Sequence, residues 1–151
     1  MLKLILSMIL LLSCMFIGQS MSAKLYRRKE TLSLFYRNFQ SAGVRLRYAS
    51  DTVYDLFEDF AFEKSEPFLP QWEKLLLDYQ KVLQKQDVSL LREFADDLGN
   101  ADTESEIRRL ELYISILEER IGQAQTDIEK KARLYRVLGF SLGVTLAILI
   151  V

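Results

Sequence analysis

The sequence predicts an all-α fold: a helical bundle in the middle of the chain with an uncharged, apolar helix at each end. Three observations carry that expectation. Apolar residues in the middle recur three and four apart, the period of one helix face. Only 6 Gly and 2 Pro occur in 151 residues, too few for the tight turns of a β-rich protein or for a Gly-rich phosphate loop. Half of the residues are hydrophobic, and two uncharged runs, 4–23 and 137–151, supply much of that total.

Residues 1–23 read as an N-terminal transmembrane anchor, since roughly 20 apolar residues cross a hydrocarbon core of about 30 Å. Lys3 before an apolar run also fits a signal peptide, and Leu11-Leu12-Ser13-Cys14 a lipoprotein cleavage box. The residues after Cys14 stay apolar, however, and the strong basic block comes after the segment, as an uncleaved anchor requires. Residues 134–151 read as a second transmembrane anchor, with Arg136 snorkelling toward the headgroups; a buried core helix is the competing reading. Lys24, Arg27, Arg28 and Lys29 stand just after the first anchor, and Lys130, Lys131, Arg133 and Arg136 at the entry to the second. By the positive-inside rule these membrane-proximal basic residues place the intervening 24–133 bundle in the cytoplasm. Small residues lie four apart in both anchors, at Cys14, Gly18 and Ser22 and at Gly139 and Gly143, a spacing that permits close helix packing in lipid.

In the middle, Leu25, Leu32, Phe35, Phe39, Ala42 and Leu46 mark the apolar face of a first helix. A second, capped by Asp51 or Thr52, is expected to turn Val53, Leu56, Phe57, Phe60 and Ala61 inward. Pro67 and Pro70 form the clearest breaker. A third helix then presents Trp72, Leu75, Leu76, Tyr79 and Leu83, and a fourth, starting near Asp87, buries Leu91, Phe94, Ala95 and Leu98 and stops at Gly99. Thr103 and Glu106 have the spacing of a capping box. The helix they open carries the most regular seam in the chain, Ile107, Leu110, Ile114, Leu117, Ile121, Ala124 and Ile128, which points through Tyr135 and Leu138 into the last segment. One helix packed in its own bundle and a homodimeric coiled coil both produce this pattern.

Charge is uneven. Residues 24–47 hold seven basic side chains and one acid, whereas 51–106 hold five basic and fifteen acidic ones. The basic part suits anionic lipid; the acidic part suits either solvent or a basic partner. Asp96, Asp97 and Asp102 surround the Gly99 turn and form the candidate docking site for such a partner. With no His and a single Cys, the chain offers no Ser/His or Cys/His catalysis and no zinc site. The acidic clusters lack the ligand order of a calcium loop. No enzyme activity, cofactor, metal or nucleic acid is therefore expected.

The C-terminal half carries a recognisable pattern: Phe94-x-x-x-Leu98-Gly99-x-x-Asp102, a long amphipathic helix, then Lys131-x-x-x-Tyr135-Arg136-x-Leu138-Gly139-x-x-x-Gly143 and an aliphatic tail. It resembles the stage III sporulation protein AB family of endospore-forming bacteria, departing from it at Ala95, where Gly is usual, and at Glu106, often Gln. The resemblance implies a cytoplasmic helical bundle similar to the platform-protein F domain of type II secretion systems. It also implies residence in the mother-cell membrane around the forespore, as a subunit of a secretion-like channel complex. The partners it implies are a stage III sporulation AA-type ATPase and other membrane subunits, to which the basic segment adds membrane lipids. A membrane-tethered scaffold that homodimerises through the Ile107 to Ile128 seam is the alternative.

Overall fold

A computed structural model describes residues 2–48, 53–100 and 102–150; the side chains of 2–7, 10, 11, 14, 15, 53, 58, 146, 147, 149 and 150 lie outside that description. Among the described residues the structure is helical throughout, without strands. The elements are α1 (Leu2–Tyr48), α2 (Val53–Leu56), a 3₁₀ turn (Glu58–Phe60), α3 (Phe68–Tyr79), α4 (Lys85–Asp97), α5 (Thr103–Asp127), a π-helical turn (Ile128–Ala132) and α6 (Arg133–Ile150). The chain divides into two compact units, one of Met1–Lys29 with Gln123–Val151, the other of Glu30–Gly122.

The Glu30–Gly122 unit is built on aromatic packing. Leu32, Phe35, Phe39 and Ala42 of α1 are fully buried, the face that the three-and-four spacing marks. Trp72 of α3 is also fully buried, and its indole N–H donates to the Leu91 carbonyl of α4 at 2.9 Å. Phe57 lies edge-on to it at 5.5 Å, and Phe39 and Phe94 approach at 4.3 Å. Such pairs add to the area they bury by about 0.5–1.5 kcal/mol each. Pro67 is the N-cap residue of α3 and Pro70 lies in its first turn, where a missing N–H costs nothing because helix starts leave those donors unpaired anyway. α4 opens with a capping box between Gln84 and Asp87, the Gln84 N–H reaching the Asp87 carboxylate at 3.1 Å.

Several local expectations are corrected. The second helix is one α-turn and then a 3₁₀ turn, and Ala61, expected inside, is exposed with φ 51°. That left-handed conformation ends the helical run where a continued helix would have turned Ala61 inward. The proposed cap at Asp51 or Thr52 falls outside the described residues. The long seam is shifted: Leu110, Tyr113 and Leu117 are buried, whereas Ile107, Ile114 and Ile121 are half-buried. Tyr113 takes the inward place because its ring packs on Phe94 at 5.2 Å.

In the other unit, Ala124, Ile128 and Ala132 are buried at successive four-residue steps through the π-turn. A π-turn inserts one extra residue into the helical ladder and rotates the helix beyond it. Accordingly Gly139 and Gly143 continue the inward side, and Leu138, expected there, is exposed. Gly18 of α1 meets this face: a Cβ added to it would stand 2.7 Å from the Tyr135 carbonyl oxygen and 3.5 Å from the Gly139 Cα. Among the described residues no helix is long and apolar enough to cross a membrane. The expectation that 1–23 and 134–151 are transmembrane falls in part on side chains outside the described set, Cys14 included.

Candidate functional site

The acidic turn between α4 and α5 is held by residues that spacing alone does not pair. α4 ends at Leu98 in an extended conformation, and Gly99 comes next with φ +84°, a region open to Gly because it has no Cβ. The Gly99 N–H donates to the Glu106 carboxylate at 3.1 Å. Glu106 is buried and also meets the Arg109 guanidinium at 3.3 Å, while Arg109 donates to the Asp97 carbonyl. Gly99, Glu106, Arg109 and the end of α4 are thus connected by hydrogen bonds. Burying Glu106 is tolerable because its charge is met by a cation and a backbone donor.

The three candidate docking carboxylates do different things. Asp102 is the cap of α5: its carboxylate accepts from the Ser105 hydroxyl at 2.7 Å and from the Ser105 N–H at 3.3 Å. Those bonds hold its carboxyl below the usual range. The expected roles of Thr103 as cap and Glu106 as its partner are therefore corrected, since Asp102 precedes the first helical residue and Glu106 is committed to Gly99. Asp97 is half-buried, and its charge acts on the Tyr113 hydroxyl. Burial first, then the charges of Glu93 and Asp97, push the Tyr113 hydroxyl up to about 12. Asp96 is exposed, and its carbonyl accepts from the Asn100 side chain at 2.9 Å. Of the three, Asp96 alone is exposed without capping a helix, since Asp97 is half-buried and Asp102 is the cap. Glu93, one turn earlier on α4, is exposed as well.

The basic residues are likewise unequal. Arg28, though counted with the exposed flank in the sequence, is 4% exposed and pairs with Asp127 at 3.4 Å. Lys131 reaches the same carboxylate at 2.6 Å, and that hydrogen bond raises its pKa. Lys24, Arg27, Lys130, Arg133 and Arg136 are exposed and Lys29 is half-buried. Among the small residues, Ser22 and Gly143 are buried and Gly139 is half-buried.

Sequence reasoning missed Tyr113 and Arg109. Tyr113 was discoverable, since Leu110, Tyr113 and Leu117 have helical spacing; for Arg109 the three-residue spacing from Glu106 was a signal, whereas its bond to a backbone carbonyl twelve residues away gave none. Among the described residues no group of His, Cys, Asp or Glu has the arrangement to hold a metal ion.

No curated protein and no solved structure shows a significant match to the chain. The family model described as stage III sporulation protein AB matches residues 63–151, a stretch that contains the Trp72 core, the Gly99 turn, α5 and α6. The chain belongs to the stage III sporulation protein AB family and is a sporulation-related protein.

Proposed function

We propose that the chain is a non-enzymatic membrane subunit of a secretion-like channel complex between mother cell and forespore. In this reading 1–23 and 134–151 anchor it in the mother-cell membrane, and the helical region between them docks a cytoplasmic AA-type ATPase to the membrane platform. Family membership over 63–151 is the observation that carries the proposal. In this reading a basic face of the ATPase docks on the exposed Asp96, the one of the three candidate carboxylates left outward, together with the exposed Glu93 beside it. Such carboxylates mainly raise the association rate and fix orientation, with strong salt dependence. The scaffold alternative needs the long seam on the outside, and Leu110 and Leu117 are buried within the single chain.

Two experiments test the proposal. A Ser89→Cys, Cys14→Ser chain in intact cells should resist a membrane-impermeant thiol reagent and react after lysis; equal labelling in both refutes the topology. Glu93→Lys with Asp96→Lys leaves the Asp102 cap and the Glu106–Gly99 bond in place, so circular dichroism should be unchanged while recovery of the ATPase falls sharply at low salt. Undiminished recovery puts the docking surface elsewhere.

A further inference from the structure

Within the unit of Met1–Lys29 and Gln123–Val151, a groove of about 740 Å³ opens beside the π-turn. Tyr26 and Lys29 of α1 line one wall; Gln125, Glu129, Arg133 and Arg136 line the other. Three cations thus face one carboxylate. That carboxylate is engaged, since the Gln125 amide donates to Glu129 at 2.7 Å. Arg136, which lines the groove, is steadied by a bond from its Nε to the Ala132 carbonyl at 3.3 Å. Among the described residues Lys29, Arg133 and Arg136 make no ion pair, whereas Arg28 and Lys131 nearby are both taken by Asp127. Asp127 is therefore spent on residues outside the groove, and with Glu129 counted the groove keeps a net charge of about +2, with Tyr26 among its lining. Guanidinium and ammonium donors that line one groove together with a Tyr suit a phosphate group.

We infer that this groove binds the phosphate of an anionic phospholipid headgroup. A lipid source is favoured over free phosphate because the chain becomes uncharged immediately beyond the groove, from Val137 onward and from Ala23 back to Leu4. Acyl chains and headgroup then meet matching chemistry in the same unit. The inference rests on the membrane reading proposed above.

The test uses the full chain purified in a neutral detergent, with retained lipids counted by native mass spectrometry after equal additions of phosphatidylglycerol and phosphatidylcholine. Wild type should retain phosphatidylglycerol at least tenfold over phosphatidylcholine. Lys29→Gln with Arg133→Gln and Arg136→Gln should abolish that preference, at about fivefold per residue. Lys24→Gln with Arg27→Gln and Lys130→Gln removes equal charge outside the groove and should leave most of it. Equal loss in the two triple variants means diffuse attraction and overturns the site, as does a wild type without preference. Inorganic phosphate at millimolar concentration should not displace the lipid; displacement, lost in the groove variant, assigns a free phosphate ligand and overturns the lipid assignment. Resistance of the chain to carbonate extraction from cell membranes tests the membrane reading separately, so the two can fail independently.

Discussion

Replacing Trp72 measures how far the Glu30–Gly122 unit depends on one aromatic keystone. The indole is fully buried, contacts Phe35, Phe39, Phe57, Phe68 and Phe94 within ring-packing distance, and ties α3 to α4 through the Leu91 carbonyl. Trp72→Phe keeps a ring but removes the hydrogen bond, worth about 1 kcal/mol net, and leaves a void where the second ring was. A loss of about 2 kcal/mol is expected. Trp72→Ala empties the site and should cost about 3–5 kcal/mol, a large part of the roughly 5–15 kcal/mol by which domains are stable. Leu77, on the outer side of the same helix, is 53% exposed, and Leu77→Ala should change stability by less than about 0.5 kcal/mol. Denaturant unfolding of the detergent-solubilised chain, monitored by circular dichroism at 222 nm, supplies the measurement. Fluorescence cannot serve for the Trp72 variants, because Trp72 is the only tryptophan. If Trp72→Ala unfolds at the wild-type midpoint, or Leu77→Ala costs as much, the aromatic cluster is not the core of this unit.

Three further outcomes are expected. Gly18→Ala puts a methyl 2.7 Å from the Tyr135 carbonyl, and backbone cannot yield as a side chain does, so the Tm should fall by an amount matching about 1–3 kcal/mol of overpacking; an unchanged Tm removes the close approach. The carboxyl of Asp102 is held below its usual range, so its stabilising effect is present above the unfolded value near pH 4 and disappears as pH falls through the lower folded value. Asp102→Asn should therefore flatten the acid limb of the Tm against pH profile, and a limb of wild-type steepness contradicts the cap. The Tyr113 hydroxyl is neutral in the fold up to about 12, so it contributes stability below the unfolded value near pH 10 that is lost as pH rises through about 12; Tyr113→Phe should make alkaline unfolding less steep in that window, and an identical alkaline profile counts against the buried phenol.

The sequence by itself determined the fold class, the order of the helices and most of the core. Helix periodicity is a local property of the chain, so Leu32, Phe35, Phe39, Leu91 and Phe94 were legible as buried before any packing was known. The Gly99 stop was legible for the same reason, since a helix end needing positive φ selects Gly locally. The family signature from Phe94 to Gly143 was also written in the chain, and it lies within the matched region. Tertiary structure alone decided which polar group meets which. Glu106 turns back to Gly99 and Arg109 reaches the Asp97 carbonyl, because each choice depends on where α4 ends against α5. The basic run shows the same division. Spacing placed Arg28, Lys29, Lys131 and Arg133 in one group, but the π-turn and the position of Asp127 separate the paired Arg28 and Lys131 from the Lys29 and Arg133 that line the groove. Charge pairing acts across a few ångströms in space, and residues 28 and 127 are brought together only by the packing of two helices ninety-nine positions apart in the chain.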